Sequence, residues 1–369
     1  MHVTDPFGNG ADFEFLVACF VQSLINGNNI KHSTIRAKTV KGYLEAVNEL
    51  YTLSQCRPPY RPQEKRNIPA HLVKLLNKWE SMPYRREPIS PEMTAYMEQI
   101  AQGSDQDGIV SATWDWFVLS RYTGFRIGEF AQRSQYRADY HVAGGGKRIL
   151  KAFNSTDFVF SDQTRKVIAP SRLDTDPESI EQVTIRWRIQ KNRRNGEKIN
   201  LFRDDKNPSL CPVRAAHRVI LRAQRCGMTS EDPIGVYRTE KRQVRFLVGA
   251  DFAKLFRRAA IQVHALTHPD DINRYSAHSM RVTAAVLLHQ ADKPASYIKI
   301  RLRWASDTFM MYLRNTVVQA KQHVAAINGS TDQAELIQLN TINCPDTVTY
   351  TVPVDAHAPK LRTHRDVCI

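Results

Sequence analysis

Long hydrophobic runs are absent from this sequence of 369 residues. A helix that crosses a bilayer needs about 20 consecutive apolar residues, and no stretch of the chain approaches that length. The first residues, Met1-His2-Val3-Thr4-Asp5, also lack the basic and then apolar pattern of a secretory signal. We therefore expect neither a membrane-spanning helix nor a secretory leader.

Cysteine is scarce as well, and its six copies are scattered. They stand at positions 19, 56, 211, 226, 344 and 368. No pair has the C-x-x-C spacing of a zinc ribbon, and the intervals do not resemble a disulfide framework. Free thiols in a reducing compartment are the expectation.

Patterns for metal and nucleotide sites are incomplete. His264 and His268 have the i,i+4 spacing of a zinc pair, but no glutamate follows the first histidine. The glycine run before Lys147 leads into Arg148 instead of the serine or threonine of a P-loop. Asp270-Asp271 are adjacent, so their side chains diverge in most backbone conformations. No metal or cofactor is expected.

Acidic residues are too few to balance the basic ones. The chain has 37 Asp plus Glu against 52 Lys plus Arg, a net charge of +15. This excess favours a polyanionic partner, because basic side chains that bind phosphates release condensed counterions. A hydrophobic fraction of 42% is ordinary for a globular chain. Nucleic acid is the expected partner, and a merely basic protein, such as a ribosomal one, is the alternative.

Helical spacing of apolar residues predicts a compact helical domain over residues 11–84. One buried stripe is expected from Val40 through Tyr43, Leu44, Val47 and Leu50 to Tyr51. A second is expected on the segment 71–79, through Leu72, Leu75, Leu76 and Trp79.

A linker is predicted at Tyr84–Pro91, which contains two prolines and two arginines. Proline biases the residue before it away from helix, so the domain boundary is placed near residue 85. Ser90 and Pro91 suit the N-cap and first position of a new helix. A larger domain is expected over residues 90–325, followed by a tail over residues 326–369.

The larger domain mixes helical and strand patterns. Further helices are expected over residues 113–136 (with a break at Gly124), 212–226 and 252–263. Short strands are predicted at residues 158–160, 166–168, 183–189 and 198–202, the last two joined in a hairpin by an Asn-Gly turn. The fold class is therefore mainly α with a small antiparallel β-sheet (α+β).

Arg126 follows a glycine-containing bend and is expected at the start of a helix. A guanidinium in that place can grip two phosphate oxygens, and Glu129 on the same helical side could orient it. An ordinary surface Arg–Glu pair is the alternative interpretation.

Lys191 stands where the 183–189 strand meets the predicted hairpin turn. A lysine there can reach over a bound backbone and serve as a general acid if neighbouring cations lower its pKa. Basic hairpin tips are common, so a solvated charge is the alternative, and Lys198 is the second candidate for the role.

His278 and Arg281 lie three residues apart and share one face of a predicted helix. A neutral imidazole can accept a proton, and the guanidinium can bind a non-bridging phosphate oxygen. Trp304 offers one indole N–H, and Tyr312 offers a hydroxyl nucleophile within an apolar helix. Taken singly, the tryptophan and the tyrosine are more typical of core packing.

The order Arg, Lys, His-x-x-Arg, Trp and Tyr resembles the tyrosine recombinase (integrase) family. The matching segments are Thr123–Glu129 (TGFRIGE), Lys191, 277–281 (AHSMR) and 302–314 (LRWASDTFMMYLR). The final segment is most like the recombinases of Crypton-type mobile elements. Trp304 stands where many prokaryotic members have histidine, and its interval to Tyr312 is one residue shorter than in typical bacterial integrases.

This resemblance, over residues 11–325, implies a helical core-binding domain and a catalytic domain that clamp duplex DNA. It implies DNA recombination or integration through a 3′-phosphotyrosine intermediate, with Arg126, Lys191, His278, Arg281, Trp304 and Tyr312 as catalytic residues. A homotetramer on DNA is implied too, with residues 313–369 docking on a neighbour.

Two other functions stay open from the sequence. One is a catalytically silent DNA-binding protein derived from a recombinase, and the other is an unrelated basic RNA-binding protein. A Crypton-like origin implies the nucleus, although we interpret the basic clusters Lys191–Arg194 and Arg301–Arg303 as DNA contacts and not as import signals.

Overall fold

The computed structural model describes residues 11–27, 35–80, 85–142, 146, 148–190 and 195–313. Within these ranges no helix combines the length and the apolar character that crossing a bilayer requires. Contacts divide the chain into two units, Met1–Tyr84 and Arg85–Ile369. The predicted tail, residues 326–369, lies outside the described ranges.

The described part of the first unit contains the helices α1 (Ala11–Ile25), α2 (Ala37–Leu53) and α3 (Ile68–Trp79). Its core is built from small and branched side chains, among them Val21, Val40 and Leu44, which are fully buried. The side chain of Asn67 accepts a hydrogen bond from the backbone N–H of Ala70 and so caps α3.

The two predicted stripes of this unit are correct only in part. Val40, Leu44 and Tyr51 are buried on α2, whereas Tyr43 and Leu50 are exposed. On α3 the buried residues are Pro69, Ala70 and Val73, and Trp79 is 77% exposed. The buried face of α3 is therefore rotated from the predicted one, and its last residue extends beyond the core.

The second unit is mainly helical. Its described helices are α4 (Pro91–Gln102), α5 (Ile109–Thr123), α6 (Pro212–Arg225), α7 (Gly249–His264), α8 (Pro269–Asn273), α9 (Ser279–Gln290), α10 (Ala295–Arg301) and α11 (Met310–Leu313). The predicted start of α4 is confirmed, because Ser90 Oγ accepts from the N–H of Met93 and Pro91 is the first helical residue. The predictions for α6 and α7 are confirmed as well.

Helix α5 is the centre of this unit and packs against α4, α6, α7 and α9. Trp116, near its middle, is fully buried and stacks on Phe130 with ring centroids 4.7 Å apart. The helix ends at Gly124, whose φ of +57° is left-handed. A Cβ at Gly124 would also lie 3.1 Å from the side chain of Leu302, so both the conformation and the space favour glycine there.

The strands form small antiparallel sheets. Their bounds are β1 (Tyr140–Val142), β2 (Arg148–Leu150), β3 (Phe158–Ser161), β4 (Gln182–Arg186), β5 (Lys198–Phe202), β6 (Val236–Arg238) and β7 (Val244–Phe246). β1 pairs with β2, β6 pairs with β7, and the central sheet has the order β3-β4-β5. The register places Val183 opposite Leu201 and Ile185 opposite Ile199, all buried. The predicted class, mainly α with small antiparallel sheet, is confirmed.

One predicted element is correct only up to its predicted break at Gly124, and another is wrong. The helix expected over residues 113–136 stops at Thr123, and only a short 3₁₀ turn, Ile127–Glu129, follows. The apolar residues after Gly124 belong to a loop, and they pack into the aromatic core around Phe130. The strand expected at residues 166–168 is one bridge between Ser161 and Val167, since the 63% exposed Val167 has no buried face to hold a longer ladder.

Candidate active site

Four chain segments of the second unit meet at one place. The loop after α5 carries Arg126, the start of α9 carries His278 and Arg281, the loop after α10 carries Trp304, and α11 carries Tyr312. Arg126 is far in sequence from the other four residues, and the packing of α9 against both α10 and α11 helps to bring the five together.

Arg126 is held by two acceptors. Its backbone N–H donates to Oε2 of Glu129 (3.0 Å), and its Nη1 donates to Oε1 of the same carboxylate (3.3 Å). Nη2 donates to the backbone carbonyl of Arg303 (3.1 Å). Arg126 is therefore not at the start of an α-helix, as predicted, but precedes the 3₁₀ turn, and Glu129 does orient it.

Arg281 is 4% exposed and bound by backbone carbonyls. Nη1 donates to Gly124 (2.7 Å), and Nη2 donates to Leu302 (2.9 Å) and to Arg303 (3.3 Å). Its guanidinium carbon lies 4.3 Å from the ring centroid of Trp304, a cation–π contact. Burial, together with the charges of neighbouring arginines, lowers the pKa of Arg281 to about 9, so the group stays charged at neutral pH.

The hydroxyl of Tyr312 lies 3.1 Å from Nε2 of His278. Partial desolvation of its ring lowers the pKa of His278, and the positive charges of Arg281 and Arg86 lower it further. Burial also raises the pKa of Tyr312, although Arg86 and Arg281 oppose this effect. At neutral pH the pair therefore consists of a neutral imidazole next to a protonated phenol, which is the arrangement that general-base catalysis requires.

A pocket of about 510 Å³ opens beside these groups, and its wall includes Arg126, His278, Arg281, Trp304 and Ser306. Nε1 of Trp304 is buried and has no hydrogen-bond partner within the described part of the chain. A buried N–H without a partner is costly, so this donor suits an oxygen of a bound ligand. Two guanidinium groups and an indole N–H around one pocket match an anion with several oxygens, such as a phosphodiester.

Tyr312 itself lines a neighbouring pocket of about 550 Å³, together with Arg85, Arg86 and residues of α4 and α9. Tyr312 is thus connected to the pocket that contains Arg126 and Arg281 through its contact with His278. The short interval between Trp304 and Tyr312 does not keep the tyrosine away from the site, because the residues 307–309 form a 3₁₀ turn that leads directly into α11.

The chain is similar in structure to tyrosine recombinases. The Tn1549 transposon integrase in complex with transposon right end DNA is 11% identical, with a TM-score of 0.46, over 85% of this chain and 84% of that chain. XerH recombinase bound to its palindromic difH substrate, in a post-cleavage complex, is 13% identical, with a TM-score of 0.45, over 85% and 69%. A lambda integrase dimer bound to a core site is 13% identical, with a TM-score of 0.38, over 82% and 80%.

No protein-family model matches the sequence. No curated protein matches it either. With identities this low and TM-scores below 0.5, the function of this chain has to be inferred from its own site.

Neither candidate lysine is among the residues that the structure places at this site. Lys191 lies outside the described residues, so its role stays a prediction. Gln190, the residue before it, is buried and accepts a hydrogen bond from Nη1 of Arg303 (3.3 Å), so the chain enters this hairpin turn next to the site. Lys198 is exposed at the start of β5, opposite Arg186.

Arg303 was not recognised from the sequence as part of the site, and its interpretation as a DNA contact is wrong. Its side chain is 4% exposed and forms a two-fold ion pair with Glu129, with both N–O distances 3.0 Å. Its guanidinium carbon lies 3.7 Å from the ring centroid of Trp187, whose Nε1 also donates to Glu129 (3.1 Å). The sequence signal for this role is an arginine just after a short helix, at a position where glycine usually ends the helix.

The residues considered for metal binding lie elsewhere and have other roles. Nε2 of His264 is 3.1 Å from Oγ of Ser90, and the side chain of His268 accepts from the N–H of Asp270 at the start of α8. Among the described residues no group of three histidine, cysteine, aspartate or glutamate side chains has the arrangement of a metal site.

Proposed function

We propose that this protein cleaves and rejoins DNA strands, with Tyr312 as nucleophile and a 3′-phosphotyrosine as intermediate. The observation that carries the proposal is the contact of the Tyr312 hydroxyl with a neutral His278. This contact lies beside a pocket lined by the buried Arg281 and the half-buried Arg126. The set of groups is complete for attack on a phosphodiester: a nucleophile, a base and donors for the developing charge.

In the first step the Tyr312 oxygen attacks the phosphorus, and its proton passes to Nε2 of His278. The raised pKa of Tyr312 makes such a base necessary, since the phenol is protonated at neutral pH. The lowered pKa of His278 keeps the imidazole unprotonated and able to accept.

The pentacoordinate transition state carries extra negative charge on the non-bridging oxygens. Arg126 and Arg281 each use some of their five N–H groups on protein acceptors, and the remaining ones are available to the pocket. Trp304 adds its indole N–H. Because these donors are fixed before the substrate binds, little reorganisation is needed when the charge develops.

The bond from phosphorus to the 5′-oxygen breaks, and this oxygen takes up a proton. Lys191 is our proposed donor, with Lys198 as the second candidate. The free 5′-hydroxyl of a second strand can then attack the phosphotyrosine and reverse the step. The covalent intermediate conserves the bond energy, so the reaction needs no ATP.

The substrate we propose is duplex DNA. The net charge of +15 supports a polyanionic partner, and two of the similar structures, the Tn1549 integrase and XerH, are complexes with DNA. We extend the proposal to recombination or integration by a homotetramer in the nucleus, as for a Crypton-like mobile element, on the basis of the resemblance of the segment 302–314.

The proposal is tested with a pool of DNA duplexes of randomised sequence, each carrying a nick that lets the released fragment diffuse away. We expect a covalent protein–DNA adduct with the wild type and none with Tyr312→Phe. Tyr297→Phe, which removes an exposed hydroxyl from α10, is the control and keeps the adduct.

An adduct formed by Tyr312→Phe contradicts the nucleophile assignment. Salt-sensitive binding with no adduct from the wild type on any nicked duplex instead identifies a silent DNA-binding protein. In that case the logarithm of the affinity still falls linearly with the logarithm of the salt concentration.

A further inference from the structure

We propose that Arg303 is a positioning residue, which sets the places of Arg126, Arg281 and Trp304 through its own peptide group. This inference rests on the proposed strand-transfer function. Arg303 does not line the anion pocket. Its backbone carbonyl contacts the site arginines, and the interactions of its side chain stabilise the backbone conformation that places this carbonyl there.

The backbone of Arg303 is left-handed, with φ of +57°. It follows the last turn of α10, where the N–H of Trp304 donates to Lys299 (2.9 Å) and the N–H of Arg303 donates to Ile300 (3.3 Å). These two bonds define a Schellman end, in which the left-handed position normally belongs to glycine. Any residue with a Cβ is strained there, so another interaction has to hold arginine in this conformation.

That interaction is the buried side-chain cluster. The guanidinium of Arg303 is paired twice with Glu129 and lies flat over Trp187. Glu129 is buried and also binds the backbone and the side chain of Arg126. Burial alone raises the pKa of Glu129, but the charge and hydrogen bonds of Arg303 outweigh burial and keep the pKa low.

The carbonyl of Arg303 is the only described backbone acceptor that both site arginines share. Nη2 of Arg126 lies 3.1 Å from it, and Nη2 of Arg281 lies 3.3 Å from it. The same peptide group leads into Trp304, so its orientation also sets the backbone position from which the indole extends over Arg281. One peptide plane therefore determines the separation of three donors that face the phosphate.

The decisive comparison is between Arg303→Met and Arg303→Gly. Methionine removes the ion pair but keeps the strain of a Cβ at positive φ, so the peptide is expected to turn away from the two arginines. Glycine also removes the ion pair, yet it adopts φ of +57° without strain and leaves the carbonyl in place.

Arg222→Met is the matched control. Arg222 is 2% exposed and paired with Asp115 at 2.5 Å, so its loss removes an equally buried arginine. Its other bond goes to the carbonyl of Gln106, and it contacts none of the five site residues.

At saturating DNA we expect Arg303→Met to form the covalent adduct about 100-fold more slowly than wild type, since misplacing donors by about 1 Å costs on this order. Arg303→Gly should lose clearly less, about tenfold, and Arg222→Met should form adduct at the wild-type rate per folded molecule. Affinity for DNA should stay within about threefold in all three, because the phosphate-binding charges outside the pocket are unchanged.

A second measurement does not depend on activity. The guanidinium Nε–H signals of Arg126 and Arg281, assigned through lysine variants of each, should shift in the NMR spectrum of Arg303→Met and keep their positions in Arg222→Met. Equal adduct rates for Arg303→Met and Arg222→Met, or unshifted signals, overturn the positioning role. Shifted signals in a protein whose wild type forms no adduct support the positioning role and refute the proposed function instead.

Discussion

The guanidinium of Arg85 donates a hydrogen bond to the backbone carbonyl of Met311, 3.3 Å away, in the residue that precedes Tyr312. Helix α11 is short, and its Leu313 and the neighbouring Phe309 anchor one side of it in a small core. Arg85 therefore holds the nucleophile segment from outside that core.

This contact predicts a loss of activity in Arg85→Met. The Tyr312 hydroxyl should be less well placed against His278, and we expect adduct formation to slow by about tenfold, which corresponds to one hydrogen bond to a charged donor. The rate is measured at saturating DNA, so that any weaker binding through the lost charge does not contribute. An unchanged rate there shows that the core contacts alone position α11.

The protonation states of the pair predict a pH dependence of adduct formation. His278 accepts the proton only when it is neutral, and partial desolvation together with nearby arginines holds its pKa below the ordinary value of 6.5. The rate is therefore expected to be constant near neutral pH and to fall only below pH 6.5. The rate is measured from time courses of adduct formation, stopped at intervals, at a series of pH values on both sides of this point.

The matched variant for this prediction is His278→Gln. Removing a general base lowers rates by about 10²- to 10⁴-fold, and the acidic fall should disappear with the base. If the variant keeps the acidic fall, another group is responsible for it.

The unpaired indole N–H of Trp304 predicts different rates of adduct formation for two substitutions at this position. Trp304→Phe keeps an aromatic ring beside Arg281 but removes the unpaired indole N–H, and we expect adduct formation to fall by about 10²- to 10³-fold, the cost of losing one donor to the transition state. Trp304→His supplies a ring N–H again and should recover most of that loss. Equal losses in both variants mean that Trp304 acts by packing.

The buried pair of Glu129 and Arg303 predicts a pH-dependent stability. The pKa of Glu129 in the folded protein lies below its ordinary value of 4.5, so the pair stabilises the fold fully above that value. This contribution is lost as the pH falls through the folded pKa, because the carboxylate must then take up a proton. Urea unfolding between about pH 3 and 7 measures the effect.

For the same pair, Glu129→Gln leaves the charge of Arg303 buried without a partner and should lower the free energy of unfolding by about 3 kcal/mol at pH 7. The variant should also lose the part of the acid sensitivity that belongs to this carboxylate. A variant as stable as wild type at pH 7 shows that the ion pair is not what holds the left-handed residue.

Much of the fold follows from signals that act over a few residues. Ser90 and Pro91 predict the start of α4, and the alternating residues after Val183 together with Asn195-Gly196 predict the β4–β5 hairpin, because caps and turns are decided locally. The apolar residues from Phe125 to Phe130 misled the prediction. Their spacing resembles a helix, but they fill the space around Trp116 from a loop.

The sequence by itself determined which residue types the candidate site contains and their order along the chain: Arg126, His278, Arg281, Trp304 and Tyr312. It also determined the basic net charge that suits DNA as a partner. Only the tertiary structure decided how they are held. Glu129 and Arg303 are 174 positions apart, and nothing in either local segment specifies their pairing. Burial of an ion pair depends on which distant surfaces pack together, and that is why an arginine expected on the surface lies inside, behind the groups that face the pocket.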